Sequence, residues 1–210
     1  MVAVLNLHNA QKTSPNALNP DNIQTDSSTK NTSLFSLNAD SDIGWMKLGD
    51  AYQHFVKDQQ TNIPLSVWLI ENPSSPFSLP GSVDLRGHDC IHLLLNRGMS
   101  LFDEAFVIGY TMGNCSNIGN HHISVYKLFS KICFPETYKF NSFHMKAFDF
   151  GFLYGKKVKV KNIHQVKFDI YNDHLIHDIR THFEISLMEV NCLWNAEKIL
   201  LNTQVFNRES

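Results

Sequence analysis

The sequence predicts an all-α fold: a single-domain, multi-helix bundle preceded by a flexible N-terminal arm. Three observations predict it. Apolar residues recur at helical spacing through most of the chain. Capping and stop residues bracket those periodic stretches. Only Lys157-Val-Lys-Val-Lys alternates in strand fashion, and it is short enough to be an extended connector.

The arm spans residues 1–33, where 6–33 are rich in Asn, Ser, Thr, Gln and Asp. Such a composition buries too little apolar area to offset the entropy of ordering. The helical domain is expected over 34–210. From Asp42, a candidate N-cap, Ile43, Met46, Leu48, Tyr52, Phe55 and Val56 follow helical spacing. Asn72-Pro-Ser-Ser-Pro-Phe-Ser-Leu-Pro-Gly breaks any helix and reads as a loop. Ser82 or Asp84 then caps a helix running to about Arg97, with Gly98 as its stop. Ser100 opens the next helix, with Asp103 completing a Ser-x-x-Asp capping box, and Gly113-Asn114 ends it. Further helices are expected at 121–134, 142–155, 173–183 and 187–203, with Asp173 capping the third of these.

Composition bounds the function. A chain of 210 residues, 43% of them apolar, is long enough for a real core. The formal net charge of −2 argues against a general nucleic-acid binder. There is no apolar run of membrane-spanning length and no secretory leader pattern, so the expected location is cytoplasmic or peripheral on the cytoplasmic face of a membrane. Cys90, Cys115, Cys133 and Cys192 lack Cys-x-x-Cys spacing and read as reduced, mostly buried thiols. Asn31-Thr-Ser and Asn114-Cys-Ser match the glycosylation pattern, but without a leader they read as unmodified.

The chemistry lies in His88-Asp89-Cys90-Ile91-His92, followed after eleven residues by Glu104. On a helix, His88 and His92 lie about 40° apart and Asp89 sits about 100° from His88. An i, i+4 histidine pair is the geometry that helical metal sites use. His92 and Glu104 lie at equal sequence distance from Gly98, the expected turn. In an antiparallel helical hairpin both then stand about 9 Å from that turn and can converge across the seam. His88, Asp89, His92 and Glu104 are therefore candidate ligands of a divalent metal. The two imidazoles and two carboxylates suit zinc or iron, with manganese or magnesium as less selective alternatives. The bland alternative is a hydrogen-bonded polar face plus a first-turn acid favoured by the helix dipole. Cys90 points away from the ligand arc and reads as core.

This arrangement resembles the signature of the ubiquinone (coenzyme Q) biosynthesis protein family that forms the fourth member of the coenzyme Q set. Ile43-Gly44 through Tyr52-x-x-Phe55 is similar to that family's Leu-Gly-x-x-Tyr-x-x-Phe helix. Ala147-Phe148-Asp149-Phe150-Gly151 with Lys156-Lys157, and Ile179-Arg180-x-x-Phe183-x-Ile185, are similar to its later helices. The resemblance covers about 42–186. It implies an all-helical protein that binds a metal, most simply zinc, through this motif and acts in prenylated-quinone biosynthesis. The implied activity is oxidative decarboxylation at ring carbon 1 of a polyprenylated hydroxybenzoate. The alternative is a non-catalytic prenyl-lipid carrier or scaffold for a membrane-associated complex. The implied partners are a prenylated aromatic or isoprenoid lipid, other quinone-biosynthesis proteins, a peripheral membrane surface and a second copy of the chain as a homodimer.

Other features carry blander readings. Ten aromatic residues between Tyr126 and Tyr154 line a prenyl groove or fill an ordinary core, the second being commoner. Lys156, Lys157, Lys159 and Lys161 form a basic cluster that touches an anion or is simply solvated. His121, His122, His164, His174, His177 and His182 are scattered. A His-Asp phosphohydrolase would need further His and Asp ligands at spacings that the sequence does not supply.

Overall fold

A computed structural model describes residues 43–55 and 65–206. The expected arm over 1–33 lies outside the described residues. The described chain is all-helical. Its α-helices are α1 (Leu48–His54), α2 (Leu65–Glu71), α3 (Leu85–Leu95), α4 (Leu101–Asn114), α5 (Asn120–Ile132), α6 (Ser142–Lys157), α7 (Ile176–His182) and α8 (Leu187–Phe206). Short 3-10 turns occupy Glu136–Tyr138, Ile163–Gln165 and Phe168–Tyr171. Among the described residues the only extended pairing is an isolated bridge between Lys47 and Leu175. The stretch after Lys157 is a connector, as its brevity suggests.

Helix α3 is the centre of the molecule. Every residue from Gly87 to Leu95 is buried, so the helix is surrounded rather than amphipathic. It packs against α1, α4, α7 and the 3-10 turn at Phe168–Tyr171. Ile91, Leu93, Leu94 and Leu95 join Phe106, Val107, Tyr110 and Ile176 in one apolar cluster. Three polar residues, His88, Asp89 and His92, are buried on the same helix. Burying such groups without compensation costs several kcal/mol, about 2–7 each for neutral groups. Their presence on the most enclosed helix therefore demands an explanation from the site.

The helix ends fix the register of the α3–α4 hairpin. The Asp84 carboxylate accepts from the Gly87 N–H and caps α3. Asp84, rather than Ser82, is thus the cap. The far end differs from the expected stop at Gly98. Asn96 takes the left-handed conformation at φ 51° and ends α3 at Leu95. The Arg97 N–H then reaches back to the His92 carbonyl at 2.9 Å. Asparagine tolerates this backbone through its short polar side chain, so glycine is not needed. Helix α4 begins as expected, with the Ser100–Asp103 capping box formed in both directions.

Helix α4 includes Gly113 and ends at Asn114, two residues beyond the expected end at about Met112. The reason lies in α6. A Cβ at Gly109 would overlap the Phe148 carbonyl, and one at Gly113 the Phe152 carbonyl. Reciprocally, a Cβ at Gly151 would overlap Phe106, and one at Gly155 would overlap Tyr110. These four glycines let α4 and α6 touch backbone to backbone. Asn114 is wholly buried; its amide donates to the Val160 carbonyl and its oxygen accepts from the Ile163 N–H.

Helix α7 starts at Ile176, later than expected, and Asp173 is not its cap. Leu175 just before it is extended, bridged to Lys47, with the Ile176 N–H donating to the Met46 carbonyl and the Leu48 N–H to that of His174. Helix α2 and the 3-10 turns have no counterpart among the expected helices. Of the cysteines, Cys90 and Cys115 are buried while Cys133 and Cys192 are exposed, so only half match the buried reading.

Candidate metal centre

The hairpin brings His88, His92 and Glu104 together. Their ligand atoms all lie within 4.8 Å of one another, and all three residues are buried. His88 Nε2 stands 3.0 Å from Glu104 Oε2. His92 Nε2 stands 3.4 Å from Glu104 Oε1. The two Nε2 atoms are themselves 3.0 Å apart. The fourth expected ligand, Asp89, is fully buried but is not part of this cluster. It lies within electrostatic reach of Tyr52 on α1, whose phenol is pushed up by burial and then by the Asp89 charge.

Protons satisfy this triangle only in part, since any one arrangement leaves one of its three contacts unmatched. Each imidazole Nε2 offers either one N–H or one lone pair. If both rings donate to the Glu104 carboxylate, two N–H groups face each other across 3.0 Å. If one ring turns its lone pair to the other, it loses its bond to the carboxylate. A cation in the centre removes the conflict, because all three groups then present lone pairs. Zinc–nitrogen and zinc–oxygen bonds of about 2.0–2.2 Å imply ligand separations of about 3 Å, the spacing seen here.

Electrostatics favour that state at His88 and Glu104, while at His92 they favour the imidazolium, whose proton a bound cation would displace. Burial lowers the His88 imidazole to about 4, so it is neutral and carries a free lone pair near neutral pH. Burial also works against charge on His92, but the Glu104 carboxylate outweighs it and raises that imidazole. Glu104 resists protonation: burial opposes its charge, yet with His92 and His88 beside it the carboxyl is held well below the ordinary range. The His92 Nδ1 has no hydrogen-bond partner among the described residues.

Two arginines hold the hairpin in place. Arg180 on α7 donates from Nε to the Leu94 carbonyl at 2.8 Å and from Nη2 to Leu93 at 3.2 Å. Its cation thereby caps the negative end of α3. Arg97, in the turn, is fully buried and forms paired bonds to Glu197 of α8 at 2.9 and 2.7 Å. Its guanidinium lies 3.8 Å over the Phe106 ring. The sequence contains both residues, but nothing in their spacing connects either to the site.

Beside the triangle lies a mostly apolar cleft of about 60 Å³. Its walls are Val67, Ile70, Leu79, Val83, Ile108 and Met112, with His88 at one side. The aromatic residues of 126–154 mostly pack elsewhere: Phe134, Phe140 and Phe148 belong to a buried core cluster. Tyr126 stacks on Phe148 at 5.2 Å and also reaches the cleft. The lysine cluster is partly engaged internally, Lys157 by Glu189 and Lys161 by the Gly155 and Lys156 carbonyls. His174 and His177 are exposed and outside the metal cluster.

Three protein ligands, unlike four, leave coordination positions open. A His-His-carboxylate set is found at catalytic zinc and at non-haem iron(II). Among the described residues no helix is long and apolar enough to cross a membrane. Comparison with family models, curated proteins and solved structures finds no match.

Proposed function

We propose that this chain is a divalent-metal protein of prenylated-quinone biosynthesis, acting on the head group of a polyprenylated hydroxybenzoate by oxidative decarboxylation at ring carbon 1. The single observation that carries the reading is the His88–His92–Glu104 triangle, whose three contacts a cation reconciles together. The motif that forms it, His-Asp-x-x-His followed by Glu after eleven intervening residues, supports the quinone assignment by resemblance.

His88, His92 and Glu104 would hold the metal, zinc or iron(II). Bound there, a metal supplies Lewis acidity toward a phenolate or carboxylate oxygen. The protein's own residues do the rest. The neutral His88 faces the cleft, so a head group reaches the site from that side. The aliphatic wall lowers the polarity beside the site, which strengthens charge interactions there. The apolar lining also suits a second reading, a carrier that retains a prenyl lipid without turning it over.

Protein loaded with zinc or with iron(II) and incubated aerobically with a polyprenylated hydroxybenzoate tests the proposal. Product lacking the ring carboxylate, lost in Glu104→Gln, supports the enzyme. Retention of intact lipid without product supports the carrier. Failure of the protein to take up either metal overturns both.

A further inference from the structure

The cleft beside His88 contains a second chemical group. Glu71, at the end of α2, and Tyr126, on α5, both line it, and the Tyr126 hydroxyl donates to Glu71 Oε1 at 2.9 Å. Glu71 is half-buried, so it meets the cleft rather than the deep core. No salt bridge to Glu71 is formed among the described residues.

We infer that Glu71, backed by Tyr126, is the group that exchanges a proton with a ligand held at the metal, so that the cleft has a cation at one side and a carboxylic acid at the other. The inference rests on the metal reading. In the transfer, the O–H bond of the Glu71 carboxyl breaks and the proton bonds to the ligand atom bearing a freed electron pair. The carboxylate left behind keeps its hydrogen bond from Tyr126, and water at the open mouth returns the proton. No oxidant or reductant is consumed.

The surroundings suit that role. Among the described residues, the groups facing Glu71 are the phenol of Tyr126 on α5, the Glu104 carboxylate on α4 and the neutral His88 on α3. Burial is the main cause that raises the Glu71 carboxyl, and the negative charge of Glu104 adds to it. The Tyr126 hydrogen bond works the other way. A carboxyl raised by burial at the edge of a cleft is the form general acids take. The alternative is a plain hydrogen bond that fastens α2 to α5.

Cobalt(II)-loaded protein titrated with catechol distinguishes these. Catechol is a small hydroxyaromatic probe that binds through oxygen and is read in the cobalt visible spectrum. In wild type, the pH dependence of catechol affinity contains an ionisation above the ordinary glutamate range. Glu71→Gln, which keeps shape and fold, removes that ionisation while cobalt affinity stays within about 2-fold. A segment changing about tenfold per pH unit is thereby lost. Tyr126→Phe shifts the same ionisation upward, because the hydrogen bond that favours the carboxylate is gone. A Glu71→Gln profile that overlays wild type overturns the inference while leaving the metal site standing. Wild type that takes up no cobalt, or cobalt-loaded wild type that does not bind catechol, overturns it as well, the first together with the metal reading.

Discussion

The Nε2 atoms of His88 and His92 stand 3.0 Å apart, one helical turn from each other on α3 and both against Glu104 of α4. Asp89, adjacent to His88 in sequence, is buried outside this cluster. The positions therefore separate in a metal titration. Glu104→Gln and His92→Ala are expected to weaken zinc by more than the roughly 10–100-fold that changes around a ligand shell cost. Asp89→Asn is expected to stay within that range. Competition with a fluorescent chelator measures all three, and equal losses would bring Asp89 into the coordination sphere.

Arg97 is fully buried with Glu197 as its bidentate partner, and burial raises the Glu197 carboxyl despite the arginine. Removing Glu197 leaves the buried Arg97 with only its longer contact to Asp103, at 3.4 Å, and removing Arg97 leaves Glu197 without its cation. Glu197→Leu alone is expected to destabilise the fold by about 3–5 kcal/mol. Arg97→Met together with Glu197→Leu is expected to recover much of that loss. A double-mutant cycle by urea denaturation checks the coupling.

The α4–α6 crossing predicts a sharp size limit. Gly109→Ala and Gly151→Ala each place a methyl group into a backbone carbonyl of the facing helix. Neither backbone can yield without separating the helices. Each substitution is expected to cost about 3 kcal/mol or more, at or beyond the upper end of overpacking penalties. A fall in the thermal midpoint measures it, and a change within about 0.5 kcal/mol would mean that the helices do not touch there.

His144 supplies a pH signature independent of the metal. It is buried between the Phe102 and Phe140 rings, and its Nδ1 accepts from the Asn141 N–H in the capping box of α6. Burial lowers its imidazole below the ordinary value of 6.5. The unfolded chain therefore takes up this proton first as pH falls. Its contribution to stability is intact above about pH 6.5 and is lost on acidification, with a slope of up to about 1.4 kcal/mol per pH unit. His144→Gln keeps an acceptor for the cap and does not titrate. From pH 7.5 to 5 the stability measured by urea denaturation should fall further in wild type than in His144→Gln, and equal falls would contradict a contribution from His144.

The hairpin was legible because its signals are local. Asp84, Ser100 and Asp103 are capping residues whose partners lie three positions away, and the His88–His92 spacing is a property of one helix. The end of α3 was misread because asparagine and glycine compete for the left-handed position, and Asn96 comes first. Gly113 was misread as a stop because its reason lies in Phe152, distant in sequence. Asp173 has the residue type of a cap, but the bridge between Lys47 and Leu175 holds Leu175 extended and delays the helix to Ile176. Whether Asp89 joins His88 and His92 depends on where α4 lies around α3, which no spacing rule specifies. Glu71 and Tyr126 meet only because α2 and α5 flank the same cleft.

X-ray absorption at the zinc edge, on protein loaded with one equivalent of zinc, tests the metal centre most directly. The expected spectrum contains two imidazole ligands and at least one carboxylate oxygen at about 2.0–2.2 Å. A first shell of oxygen alone, without the outer-shell scattering of imidazole rings, would contradict binding by His88 and His92.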